Sequence, residues 1–350
     1  MVRTGFRYLF IPLLATIILG AFTGTGSTMV SGPCSNCHTM HNSQNGQPMT
    51  FDGSAVPYPY LTRASCIGCH GQGGTSNIVA GIPQVNHTDT DDLAAGNFAY
   101  MLGLKGSGVD DSKGHNVIDF GNLEDTLTYP PGGYDKMPSA DALTCAGVYG
   151  CHGNTNDYGN SDPMKAIAGA HHTIDTDLTG ETVGKSYRFL LGVIGREVDD
   201  WQNTDKGHHN EYYGKTTPYE QECGNCHWGH LPAGSTITSL CTTCHVDMHK
   251  IDTSGNNIWL RHPSDILIPD DGEYAAYTEY NVNAPVGRQT VPTDISDTVT
   301  PGSDVVTCLS CHFAHGSNYS DLLRWDYDQM VADGGSSTEG CFICHSTKDD

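Results

Sequence analysis

Hydrophobic side chains follow two regimes along these 350 residues. Near the N-terminus an apolar run extends from about Tyr8 to Phe22, preceded by Arg3 and Arg7 and followed by small residues up to Ser27. A basic start, a short apolar centre and small residues predict an export signal over 1–27, cut near Thr25 to Thr28. A retained anchor is the rival reading, but the run is shorter than the roughly 20 apolar residues a spanning helix needs. No cysteine lies there to carry a lipid, so the expected mature protein is one soluble domain over 28–350. Beyond Thr28 no helical or strand period is sustained; apolar residues come in short groups broken by Gly, Pro, Asn and Asp. The segment "PMKAIAGAHH" predicts a short helix, and "SYRFLLGVIG" a short strand or helix. The fold class expected is mostly irregular coil with short α-helices and few or no β-strands.

Composition sharpens the difficulty. Only 37% of the residues are hydrophobic, against 42 Gly and 17 Pro, which is poor material for an aliphatic core and resembles a loop-rich or disordered chain. Loss of Arg3 and Arg7 with the signal lowers 17 basic residues to 15 against 40 acidic ones, a net of −25. That balance excludes a nucleic-acid or anionic-membrane partner, because no basic patch exists to release counterions. Something other than aliphatic side chains has to fill the interior.

The 14 cysteines supply the answer. Six pairs read Cys-x-x-Cys-His: Cys34, Cys37 and His38; Cys66, Cys69 and His70; Cys223, Cys226 and His227; Cys241, Cys244 and His245; Cys308, Cys311 and His312; Cys341, Cys344 and His345. This is the attachment signature of c-type haem, in which each thiol joins a vinyl group and the adjacent His becomes the proximal iron ligand. Repeated zinc ribbons, the other source of Cys-x-x-Cys, do not need a His after every pair. The last two cysteines, Cys145 and Cys151, precede His152 with five residues between them. They read as a seventh, expanded attachment site, or alternatively as a disulfide or stray pair. Seven covalent haem c groups would provide the missing apolar interior.

Of 18 histidines, those outside the proximal set are enough to close every iron as bis-histidine, and a closed iron only accepts and passes electrons. His41, His230, His249 and His315 lie three or four residues beyond a proximal His, on the same face of a helical turn. His115, His208 and His209 follow Lys-Gly, and His262 precedes Pro263, which restricts its backbone. His87, His171 and His172 complete the set. Methionine as a distal ligand ranks lower, given the surplus of histidines. The loop at 268–304 and the 17 Tyr are expected to wrap porphyrin edges and propionates. The Asp clusters in "HTDTDD" and "IPDDG" match no calcium loop and read as solvated faces.

The stretches "CSNCHTMHNS", "KGHNV", "CTTCHVDMH" followed by "LRHP", "CLSCHFAH" and "CFICHSTKDD" run in one order along the chain. Together they resemble the extracellular, filament-forming multihaem cytochromes of metal-reducing bacteria, above all the hexahaem nanowire type. The resemblance implies a cytochrome wrapped around a haem chain, secreted and at the cell surface, or alternatively periplasmic. It implies that His41 links to a haem of the next copy, and favours His87, His115, His262 and His315 as distal ligands, with His230 and His249 in reserve. Between Cys145 and His227 the chain departs from the hexahaem pattern; a seventh haem there would draw on His171 or His172 and on His208 or His209. That departure puts the subunit interface in question.

Two function classes follow. One is a conductor, as a filament or failing that a soluble shuttle, passing respiratory electrons to other cytochromes or extracellular metal oxides. The other is a multihaem reductase with one open iron, for which the Cys145 to His152 site is the place to look; no Cys-x-x-Cys-Lys occurs.

Overall fold

The computed structural model describes residues 33–50, 54–63, 65–121, 127–133, 143–155, 163–172, 177–216, 231–248, 262–333 and 338–348. The expected signal at 1–27, and with it Cys223, Cys226, His227, His230 and His249, lie outside them.

Coil dominates, as the broken apolar pattern predicts. The described residues hold three α-helices: α1 (Cys66–His70), α2 (Pro163–Ala166) and α3 (Ile237–Cys241). Most other helical structure is single 3₁₀ turns. The helix read from "PMKAIAGAHH" stops at Ala166 because Gly169 takes φ +83°; the chain re-forms only one 3₁₀ turn at Ala170–His172. The "SYRFLLGVIG" stretch forms neither a strand nor a helix along its length. Arg188 and Phe189 adopt left-handed φ of 48° and 60°, so the chain folds back, and only Gly195 enters a strand.

Strands are present but only two or three residues long. β1 (Ser43–Gln44) pairs with β2 (Gln47–Pro48), and β3 (Ile78–Val79) with β4 (Ile82–Pro83), both antiparallel. β5 (Thr144–Ala146) and β6 (Gly150–His152) pair in parallel. The largest sheet has the order β7-β8-β10-β11-β9, from β7 (Gly195–Arg196), β8 (Glu211–Tyr213), β9 (Ile266–Leu267), β10 (Gly287–Arg288) and β11 (Val305–Val306). β8 and β10 run parallel with Gly287 opposite Tyr212; the other neighbours are antiparallel. A Cβ on Gly287 would fall 3.0 Å from the Gly214 Cα and 2.9 Å from the Thr307 methyl, so glycine is required where these strands meet.

The apolar core is divided among three small clusters rather than gathered into one. Tyr187, Leu190, Val193, Tyr212, Leu231, Ile237 and Leu309 pack around α3. Ile268, Tyr277, Tyr280, Ala284, Val286 and Val299 fold the 268–304 segment onto the sheet, and Phe98, Met101 and Val117 form the third. Between them lies a buried charged network. Arg288 donates through Nε to Glu211 at 3.0 Å, through Nη1 to Asp304, and through Nη2 to the Thr298 carbonyl at 2.7 Å. Glu211 also accepts from Ser296 N at 2.7 Å, and the His209 ring lies flat on Tyr280 at 3.5 Å with Nε2 3.3 Å from Glu211. Burial pushes the Glu211 carboxyl up, but the bonds from His209 and Ser296 and the Arg288 charge outweigh it and hold it below the ordinary carboxylate value. At Asp304 burial prevails and the shift is upward.

Removing one member of such a network leaves uncompensated buried charge. Arg288→Met is therefore expected to cost about 3–5 kcal/mol of stability, read from urea unfolding of the haem-loaded protein; a loss below about 1 kcal/mol would show that the two carboxylates find other partners.

Candidate haem sites

Each described Cys-x-x-Cys-His motif is wound into about one helical turn, so that its two sulfurs and its imidazole leave the backbone within a single turn. The His backbone N–H bonds the carbonyl of the first cysteine at 2.8 Å for His38 and at 3.0 Å for His245, His312 and His345, while the motif ending at His70 is α1 itself. The expanded motif is built differently, with Cys145 on β5 and Cys151 on β6. No described cysteine is in a disulfide, Cys145 and Cys151 included.

The imidazoles are held by a common device. Nδ1 of His38 donates to Leu61 O at 3.0 Å, of His70 to Pro83 O at 2.9 Å, of His152 to Arg188 O at 2.9 Å, of His245 to Pro131 O at 2.8 Å and of His312 to Asp321 O at 2.7 Å. His345 uses the Glu273 carboxylate at 3.1 Å. His41, His115 and His262 do the same with the carbonyls of Tyr58, Ala314 and Pro263 at 3.0, 2.7 and 3.0 Å. A carbonyl only accepts, so Nδ1 carries the proton and the lone pair sits on Nε2. This is the arrangement of metal-ligating histidines, whose second nitrogen is fixed by an outer partner.

Five proximal histidines each face another imidazole. The ring centres are 5.9 Å apart for His38 and His172, 6.1 Å for His70 and His171, 6.1 Å for His245 and His115, 6.2 Å for His152 and His315, and 6.2 Å for His345 and His262. Their interplanar angles are 15°, 25°, 48°, 59° and 87°. A stacking contact ties separation to angle; here the angle covers its whole range while the separation stays fixed. Two ligands on a shared axis behave this way, since each rotates freely about its bond to the metal. Two metal–nitrogen bonds of roughly 2.0–2.1 Å put the ring centres about 6 Å apart. Among the described residues no group of three or more His, Cys, Asp or Glu converges as an all-protein metal site. A donor set of two axial imidazoles with two thiols alongside fits haem c, which brings the remaining four nitrogens itself. Burial, with neighbouring imidazoles adding to it, drops the pKa of His315 to about 3 and of His115 and His171 to about 4. Their rings are thus neutral at physiological pH, the form that ligates.

The sites follow one another in sequence order. Among the described sites Cys37 acts electrostatically on Cys69, Cys66 on Cys145, Cys151 on Cys244, Cys241 on Cys308, and Cys311 on Cys341 and Cys344. Burial pushes the thiols of Cys69 to about 11 and of Cys151, Cys311 and Cys344 to about 12, far from the acidic range of catalytic cysteines. Distal residues tie neighbours together as well: His171 and His172 are consecutive, and His115 N bonds His315 O at 3.1 Å.

Comparison with known proteins agrees with this geometry. Residues 301–350 match the family model described as a doubled CXXCH motif. Across 84% of its length the chain is 25% identical to the C-type cytochrome OmcS of Geobacter sulfurreducens, covering 78% of that protein. The chain is thus similar to a c-type cytochrome over most of its length. The resemblance to the nanowire cytochromes read from its motifs therefore holds over most of the chain. Among solved structures, the outer membrane cytochrome S filament of Geobacter sulfurreducens aligns with a TM-score of 0.47 at 18% identity over 93% of both chains. A second structure, of OmcS nanowires from the same organism, aligns at 0.46 and 19%, over 90% of this chain and 88% of that one.

Not every candidate histidine of this cytochrome is brought to a proximal ring. His87 is fully buried against Asn97, its Nε2 3.2 Å from the Asn97 amide and 4.0 Å from Asp92. His208 hydrogen-bonds Asp200 at 2.7 Å, and His209 belongs to the Glu211 network. His171 and His172 each have a proximal partner, where the sequence reading expected only one of them to be used. His41 is exposed, and His312 has no imidazole opposite it among the described residues. Sequence reasoning missed Asp265, whose side chain is buried at the start of β9. The Thr238 hydroxyl bonds its carboxyl and accepts from Cys308 N at 3.3 Å, linking Asp265 to an attachment turn. Burial pushes the Asp265 carboxyl up to about 7, against the pull of Thr238 and Lys215.

A carboxyl raised from its ordinary 3.8 to about 7 binds more protons folded than unfolded, so its stability contribution is complete at low pH and fades as pH climbs through that window. Asp265→Asn is expected to match the parent's melting temperature at pH 4 and exceed it at pH 8; equal melting at both would refute an ionising buried group.

Proposed function

We propose that this cytochrome conducts electrons through seven covalent, bis-histidine haem c groups, and that its mature form, 28–350 after loss of 1–27, does so as a subunit of an extracellular filament. The single observation that carries this reading is the constant separation of five imidazole pairs despite their different angles. When bound, haem c supplies a one-electron iron couple whose potential is set by its axial ligands and surroundings. The protein's part is to fill both axial positions, to set the attachment turns end to end, and to keep water and substrates away from the metal. In this reading Cys34, Cys37, Cys66, Cys69, Cys145, Cys151, Cys223, Cys226, Cys241, Cys244, Cys308, Cys311, Cys341 and Cys344 attach the porphyrins. The proximal ligands are His38, His70, His152, His227, His245, His312 and His345; His172, His171, His315, His115 and His262 are distal to the first, second, third, fifth and seventh of these.

His41 is assigned to the iron of His312 in another copy. Three features support it: His41 is exposed with its Nδ1 tied down; it takes a left-handed φ of 53° just before β1; and Met40, Val56 and Leu61 in the same stretch of chain are exposed apolar side chains. The partner copy thereby closes a site that no imidazole of the described residues closes within one chain, and electrons continue from one subunit to the next. The relative named above is itself known as filaments, and this chain's acceptors would be other cytochromes or extracellular oxides. Pairing of His152 with His315 speaks against an open reductase centre at the expanded site.

His41→Ala is expected to leave the covalent haem count at seven by intact mass, to abolish filaments in electron micrographs, and to convert one haem of the resulting monomer to high spin by electron paramagnetic resonance. Filaments that persist in this variant would rule the assignment out. Cys145→Ser together with Cys151→Ser should lower the count to six; an unchanged count would remove the expanded site from the set.

A further inference from the structure

Two buried arginines, Arg288 and Arg324, can be compared with the half-buried Arg188. Arg288 is neutralised by Glu211 and Asp304, and Arg188 by Glu197 at 3.2 Å. Arg324, only 8% exposed, has no such partner among the described residues. Its guanidinium donates from Nε to Leu309 O at 2.7 Å and from Nη1 to Val282 O at 3.3 Å, lies 4.1 Å from the centre of the Phe313 ring, and has nothing to take the proton of Nη2. The charged and titratable groups acting on it include Tyr212, Tyr280, Cys311, Tyr187 and the His312 ring, none a carboxylate. The Tyr280 hydroxyl, likewise buried and facing Arg324, has no partner either. A buried cation without a counter-charge is strongly unfavourable, and a guanidinium is the side chain best shaped to hold a carboxylate in its fork.

Arg324 opens onto a cavity of about 180 Å³ that is also lined by Asp92, Asn203, Val282 and Phe313. Asp92 is already engaged, by Lys105 at 2.7 Å, Tyr100 at 2.8 Å and the Asn97 amide at 2.8 Å. The site is also built onto an attachment turn: Leu309 and Cys311 belong to the motif that ends at His312, and Arg324 N bonds Cys311 O at 2.9 Å.

We propose that Arg324 is a carboxylate-binding residue, holding either a haem propionate or a small carboxylate from solution in this cavity. The propionate source rests on the haem reading above. In either case the anion and the guanidinium neutralise each other, and offsetting the negative charge of a propionate favours the reduced form of its haem. Arg324 positions and tunes; it does not ligate iron.

The test compares parent, Arg324→Met and Arg324→Lys as full-length secreted proteins. Covalent haem number by intact mass comes first, and a count short of the parent motifs in the unmutated protein would fail the haem reading without touching this one. Potentiometric titration follows, with and without citrate. Held by a propionate, the site gives a potential indifferent to citrate, and Arg324→Met makes one haem at least tenfold harder to reduce, a fall of about 59 mV for one electron; Arg324→Lys, which keeps the charge, falls by less. Held by a solution anion, the site shows saturable citrate stabilisation of the parent in thermal melts, absent from Arg324→Met. A variant that alters neither the potentials nor the citrate response overturns the proposal, and if Arg324→Met does not assemble, Arg324→Lys gives the same two readouts.

Discussion

Everything in this fold answers to one requirement, that imidazoles from distant parts of the chain meet across a fixed gap of about 6 Å. His38 is completed by His172, His115 by His245, and His152 by His315, so the chain has to cross back on itself repeatedly. Long regular elements would hinder this. Short turns, two-residue strands and left-handed residues such as Arg188, Phe189 and Asp321 allow the reversals, and the carbonyls that these irregular segments leave unpaired are the acceptors that orient the rings.

A division of labour follows between the sites and the protein between them. Around the motifs, burial keeps imidazoles neutral and thiols protonated. Away from them, the five-stranded sheet stabilises itself with charge as much as with hydrocarbon, through Arg288, Glu211 and Asp304. Apolar clusters as small as those described could not hold such a chain alone. Haem c would complete the interior, and among the described residues Arg324 is a buried charge that the protein does not itself balance.

Much of the site was legible in the sequence because covalent attachment imposes a rigid spelling, two thiols and an adjacent imidazole. The coil-rich fold was legible for the opposite reason, the lack of any sustained apolar period. Distal partners were not, because nothing local in "GAHHTID" says that its two rings serve His70 and His38. Choosing between His171 and His172 as one ligand was a reading limited to local spacing; the structure brings both to a proximal ring. His87, His208 and His209 look equally suited to iron in one dimension, yet Asn97, Asp200 and Glu211 engage them, and those contacts depend on tertiary approach. Asp265 and Arg324 carried no signal in the sequence, since a buried carboxyl and a solvated one are spelled alike.

The adjacency of His171 and His172 has a mechanical side. Successive Cα atoms across a trans peptide are ~3.8 Å apart whatever else moves, so the two sites these residues serve are joined by an inextensible link independent of side-chain packing. Pulling on the chain would load that peptide before it separated the sites. The first junction of the series is thus secured covalently, whereas in the proposed filament the join at His41 to another copy would have only coordination and surface contact to resist tension. Under strain such a strand would part between subunits and leave each subunit's own sequence of sites intact.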